Sequence, residues 1–317
     1  MPLLLLLLLL LVLLSPGIEG GFAGVLSNGS VFSPDRLPGG SWHASLASLR
    51  SLDSAKLLYE LPANSTLRQL DRIQYAQFKE GIFVPSSRGD SSDRLGRPAR
   101  MFASKEAAAC LRGRKIRITG DLQMVLLYIG LADILLGVPS AFEMRSTKTI
   151  LQMLQRYDRK LRDAGKSRGL DVRYMHQECL DKEIACYTAR LLDDDEVADA
   201  LVVGFARNTE QLRAHPGSFD AFERHLQQLL AGRQKNALLV LTDAFSLQAK
   251  RREGENGAIA RLNNIASSVA RSAGRPILDF FSVTKQCVWR NCTVFDGFRS
   301  RFVQRFKAQM LLDLLCR

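Results

Sequence analysis

From Lys115 onward the chain alternates short apolar runs with longer amphipathic ones, and this alternation limits the fold more than any other feature. Lys115-Ile-Arg-Ile-Thr119, Leu170 to Met175, Ala200-Leu-Val-Val-Gly-Phe205, Ala237-Leu-Leu-Val-Leu-Thr242 and Pro276-Ile-Leu-Asp-Phe-Phe281 read as strands. Met124 to Leu136, Thr147 to Ala164, Lys182 to Leu192, Phe219 to Leu230, Ala258 to Ala273 and Phe302 to Leu315 read as helices, several with apolar residues at helical spacing. Near-continuous apolar strands separated by helices cannot form hairpins. They pair in parallel and need helices on both faces of the sheet. With right-handed crossovers, the pattern predicts an α/β fold: a three-layer α/β/α sandwich with a mostly parallel five-stranded sheet, flavodoxin-like in outline.

Sheets of this kind bind ligands beyond the carboxyl ends of their strands, where the strand order reverses. That rule selects Gly120 to Leu122 after the first strand, Gly204 to Asn208 after the third, Asp243 after the fourth, and the segment after the fifth.

The chain before Lys115 is of another kind. Leu3 to Leu14 is unbroken Leu with one Val, followed by Ser15-Pro16-Gly17. A helix of that length spans ~18 Å, short of the ~30 Å bilayer core. Small residues follow it, so residues 1–23 are expected to be a secretory signal peptide. The alternative is a retained signal-anchor, the one case in which a membrane would be a partner. Residues 24–105 are rich in Ser, Gly, Pro and Arg and read as an extension made largely of loop, with one helix expected over Ser65 to Phe78. Residues 106–317 are expected to form one α/β domain.

Secretion gives meaning to other features. The cysteines are Cys110, Cys179, Cys186, Cys287, Cys292 and Cys316, an even number suited to an oxidising compartment. Local pairing suggests Cys179 with Cys186 and Cys287 with Cys292; Cys110 with Cys316 would tie the first core strand to the last helix. Their spacing matches no zinc pattern, and neither a metal nor a cofactor is expected. Asn28-Gly-Ser, Asn64-Ser-Thr and Asn291-Cys-Thr are glycosylation acceptors in a secreted chain. The formal net charge of +12 points to anionic partners, which the secretory reading turns toward extracellular or lumenal anions, with carbohydrate or acylated or anionic glycan the expected class. Nucleic acid is not expected, because no basic stripe is interleaved with aromatics.

Three segments resemble the SGNH, or GDSL-like, hydrolase superfamily, above all its PC-esterase branch of trichome-birefringence-like proteins and sialate O-acetyltransferases. Cys110 to Met124, with Ile-Thr-Gly-Asp-Leu, resembles the strand running into Gly-Asp-Ser. Ala200 to Asn208 resembles the strand whose end supplies an oxyanion-hole Asn. Asp296-Gly-Phe-Arg299 and the run to Cys316 resemble the Asp-x-x-His segment and closing helix. The resemblance implies a Ser nucleophile, a His base oriented by Asp, and an oxyanion hole.

The departures fall on the chemistry itself. Leu122 stands at the nucleophile position and Arg299 at the base position, where a guanidinium stays protonated. Asp296 and Asn208 are the remnant catalytic positions. Thr119 and Ser300 flank the vacated places, and His176, His215 and His225 are the later histidines; His225 reads as part of an amphipathic helix. Arg299, Arg301, Arg305 and Lys307 form a basic cluster at the start of the last helix, ordinarily a solvated face. Arg299 beside Asp296 would suit a sulfate, carboxylate or phosphate. Gly120, Asp121, Leu122 and Arg299 are therefore the candidate binding residues. Two functions follow. One is a secreted or Golgi-lumen SGNH/PC-esterase-like protein, catalytically impaired, that binds carbohydrate or acylated glycan. The other is an active carbohydrate O-acyl esterase or O-acetyltransferase using relocated residues.

Overall fold

The structure is a computed structural model, and it describes residues 40–43, 82–85, 100–138, 147–175, 198–205, 218–231, 236–241, 253–282, 284 and 301–316. All of them fall within one compact unit, Phe32–Arg317. The predicted helices over Ser65 to Phe78 and Lys182 to Leu192 lie outside the described residues.

Strands β3 (Lys115–Thr119), β4 (Asp171–Tyr174), β5 (Ala200–Gly204), β6 (Ala237–Val240) and β7 (Ile277–Leu278) form one sheet in the order β4-β3-β5-β6-β7. Every neighbouring pair is parallel, with Ile116 opposite both Val172 and Ala200. The first strand thus sits inside the sheet, and the chain reverses direction across it between β4 and β5. A short antiparallel pair, β1 (Gly40–His43) and β2 (Ile82–Pro85), lies outside this sheet. It falls in the stretch expected to be mostly loop; the run Ile82-Phe-Val was too short to stand out among the surrounding breakers.

Two apolar cores flank the sheet. Ile116, Ile118, Val172, Val202, Leu238 and Val240 point into the first. Above them pack α1 (Ser104–Leu111), α2 (Leu122–Leu136), α3 (Thr147–Arg168) and α6 (Arg301–Leu315). Alternate residues Leu201, Val203 and Leu239 point into the second, under α4 (Ser218–Ala231) and α5 (Glu253–Ser272). Period-two alternation in the strands therefore separates the layers, and the three-layer α/β/α sandwich is the observed fold.

Helix α2 is the centre of the first core. Its sequence is apolar on all sides and Met124 to Leu135 are all buried, as expected for a helix covered all round. Asp121 starts it by accepting from Gln123 N–H at 2.9 Å. It stops at Gly137, whose left-handed backbone lets Gly137 N–H reach Ile134 O at 3.1 Å and Val138 N–H reach Asp133 O at 2.9 Å. Across it runs α6. A Cβ on Gly130 would stand 2.5 Å from Gln304 O, so only glycine allows this crossing.

The structure alters three expectations. Helix α1 was not foreseen, although Lys105-Glu-Ala-Ala-Ala109 is a strong helix-forming run; Cys110 stands at its end, not on the strand. Cys110 is joined to Cys316, with the two Cα atoms 5.7 Å apart, so the bond ties two helices. Strand β7 ends at Leu278, well short of Phe281, because Asp279 accepts from both N–H and Oγ of Ser282 and starts a helical turn.

Arg305 and Lys307 are the third alteration. Neither belongs to a solvated face: they are 0% and 3% exposed. Arg305 Nη1 donates to Val138 O at 2.7 Å, satisfying a carbonyl just beyond the end of α2. Lys307 Nζ lies 4.9 Å above the Phe280 ring, a cation–π arrangement. The helix is enclosed by α2 and the segment after β7, so its cations find partners inside.

Candidate functional site at the strand ends

The reversal of strand order places the ends of β3 and β5 side by side, with Thr119 opposite Val203. The chain leaves β3 through Gly120 and Asp121 and enters α2 at Leu122. Gly120 has φ 142°, a conformation that side-chain-bearing residues rarely adopt. Space excludes a side chain there as well: a Cβ would meet Met124 Cγ at 2.5 Å and Gly204 O at 2.8 Å. At Gly204 a Cβ would meet Met124 Sδ at 2.3 Å. Met124 therefore fills the room left by two glycines at the ends of neighbouring strands.

Tyr174, the last residue of β4, holds the turn from the other side. Its Oη donates to Gly120 O at 2.6 Å, a buried bond. The Tyr174 ring lies 6.0 Å from that of Tyr128 on α2. Burial first, and then the Asp158 carboxylate that Tyr128 Oη meets at 3.2 Å, push the Tyr128 phenol far above the ordinary tyrosine range. Tyr128 thus ties α2 to Asp158 on α3, and Tyr174 is the strut that holds the turn.

Of the candidate residues, Gly120, Asp121 and Leu122 come together here. Asp121 is buried and spends a carboxylate oxygen on the Gln123 N–H. Leu122 is partly buried against the first core and carries no group that could attack or move a proton. Thr119 has a hydroxyl, but the residue is 0% exposed and its Oγ1 has no hydrogen-bond partner; a substrate has no access to it. His225 is part of α4, as its spacing suggested, with an unpartnered Nδ1. Asn208, Asp243, Asp296, Arg299, Ser300, His176 and His215 lie outside the described residues, as do Asn28, Asn64 and Asn291 and the other cysteines. Among the described residues no group of three His, Cys, Asp or Glu side chains could hold a metal ion, and no helix is long and apolar enough to cross a membrane.

Sequence reasoning missed Met124 and Tyr174. A signal for Met124 existed in the pair of glycines ending two adjacent strands, which implies a neighbour closing over them. Tyr174 gave none, since its reach to Gly120 depends on the parallel register of β3 and β4.

No protein-family model matches this chain, and no curated protein matches it. Solved structures that resemble it distantly include the following two. One, of the acetyl xylan esterase AlAXEase, is 17% identical, with a TM-score of 0.40 over 62% of this chain and 97% of that one. Another, of LAE5, an alpha/beta hydrolase enzyme from the metagenome of Lake Arreo, Spain, is 15% identical, with a TM-score of 0.41 over 68% of this chain and 98% of that one. The fold assignment rests on strand order and connectivity.

Proposed function

We propose that this chain is a secreted or Golgi-lumen SGNH/PC-esterase-like protein whose strand-end site binds carbohydrate or acylated glycan without that family's serine chemistry. The observation that carries the reading is Leu122. It opens α2 directly after Gly120-Asp121, at the end of a strand beside the point where the strand order reverses. A hydroxyl there would stand at a helix N-terminus, where backbone N–H groups favour a developing negative charge; an isobutyl group offers only apolar contact. Asp296, Asn208 and Arg299 join the site in this reading, Arg299 as the fork for an anionic group. The three acceptor asparagines and the leader accord with the secretory pathway.

A fluorophosphonate probe of serine hydrolases tests the reading on the full chain. The natural protein is expected to remain unlabelled, and the double variant Leu122→Ser/Arg299→His is expected to gain labelling. Strong labelling of the natural protein would overturn the loss of serine chemistry. A folded double variant that stays dark, together with no retention of any acidic or acetylated glycan on an array, would overturn the site assignment.

A further inference from the structure

Helix α3 presents a basic strip to solvent. Its inner face is fixed by Ile150, Leu154, Tyr157 and Leu161, all buried and three or four residues apart. The opposite face carries Arg156, Arg159, Lys160 and Lys166, all exposed. Their spacing aligns them along ~15 Å of helix. On the helix itself little negative charge offsets them. Of the two acids on this helix, Asp158 bonds Tyr128 Oη and pairs with Arg162 at 3.0 Å, which leaves Asp163 as the exposed one. The strip also continues past the helix. Gly113 N–H donates to Gly169 O at 2.8 Å, and Arg112 bridges Leu170, so the exposed Arg112 adjoins the α3 end.

Helix stability does not account for this arrangement. Cations in the last turn, Lys166 and Arg168, are favoured by the helix dipole. Arg156, Arg159 and Lys160 lie in the middle, where the dipole gives nothing; Arg156 repels both of the others, and on this helix only Asp163, four residues after Arg159 and three after Lys160, offsets them.

We propose that the outer face of α3, extended by Arg112, is a docking strip for a linear sulfated or carboxylated polysaccharide. Guanidinium forks match sulfate and carboxylate oxygens in pairs. The helix exposes no aromatic ring on which a base could stack, and no apolar side chain that would enter a bilayer. Choosing glycan over duplex DNA rests on the secretory reading above; the strip itself is independent of the strand-end site.

The test is retention of the full chain on immobilised heparin under a salt gradient. Arg156→Gln/Arg159→Gln/Lys160→Gln is expected to elute at clearly lower salt, with the slope of log affinity against log salt reduced by about 2–3. The single variant Arg159→Gln should give roughly a third of that shift, which guards against a folding defect in the triple. Lys105→Gln/Arg224→Gln/Arg271→Gln removes equal charge from exposed sites elsewhere and should shift elution far less. Equal shifts in the two triples, or none, would overturn the strip, as would tighter binding at matched salt to duplex DNA or phosphatidylserine vesicles. None of these variants touches the strand-end site, so a negative result here leaves the fluorophosphonate test to decide that reading by itself.

Discussion

A Cβ added to Gly120 would stand 2.8 Å from the carbonyl oxygen of Gly204, so the ends of two adjacent parallel strands meet at a distance that only hydrogen permits. The turn into α2 depends on this approach. Gly120→Ala combines backbone strain with a clash against a main-chain oxygen, and is expected to lower stability by about 2–4 kcal/mol. Urea unfolding measures it. A loss below half a kilocalorie would show that the turn can re-form without the close approach.

Cys110 and Cys316 close a loop across a sequence separation of 206 residues. Most of that stabilisation comes from limiting the unfolded chain. The Cys110→Ala/Cys316→Ala pair is expected to lose about 3–5 kcal/mol, seen as a lower denaturant midpoint with a native-like circular dichroism spectrum.

Gln309 exchanges two hydrogen bonds with the backbone of Phe102: it accepts from Phe102 N–H at 2.8 Å and donates to Phe102 O at 2.9 Å. Both are buried. Gln309→Leu fits the space but strands a donor and an acceptor, at about 1–3 kcal/mol for each. Thermal unfolding should fall accordingly, and Gln309→Glu, which would bury a carboxylate against the Phe102 carbonyl oxygen, should lose at least as much at neutral pH.

Asp171 lies between Arg117, which binds it through two hydrogen bonds of 3.0 and 3.1 Å, and Arg173 at 3.0 Å. Burial alone would raise its carboxyl; the hydrogen bonds and charge of Arg117, then of Arg173, outweigh that and hold it below the ordinary carboxylate value. A depressed pKa means the folded state favours the ionised form. Its contribution is complete above the unfolded value near ~3.9 and is lost as pH falls through the folded one. Melting temperature should therefore drop on acidification below about pH 4, more steeply in the natural protein than in Asp171→Asn.

The sheet was legible because β5 and β6 are apolar runs buried on both faces, a pattern with few other uses. The end of β7 was not, since a single side chain, Asp279, decides between strand and turn. Burial of Arg305 and Lys307 was equally hidden: sequence records the charge, whereas the Val138 carbonyl and Phe280 ring that receive it come from distant segments. At the strand ends, Gly120-Asp121 announced a strand-to-helix turn, and Asp121 caps it as its residue type suggests. The strut from Tyr174 depends on register between strands whose ends are separated by two helices, which no local pattern encodes.

The path of α6 has a consequence for synthesis. Val303 to Leu312 are buried throughout, and the helix lies across α2 at Gly130. On a ribosome, every strand of the sheet emerges before this helix does. Until then the flank of α2 that α6 crosses lacks the cover this helix gives it. The nascent domain must wait half-closed with a greasy helix in the open, a state prone to aggregation. Its yield in a cell should therefore depend on how well that helix is shielded during translation, as well as on final stability.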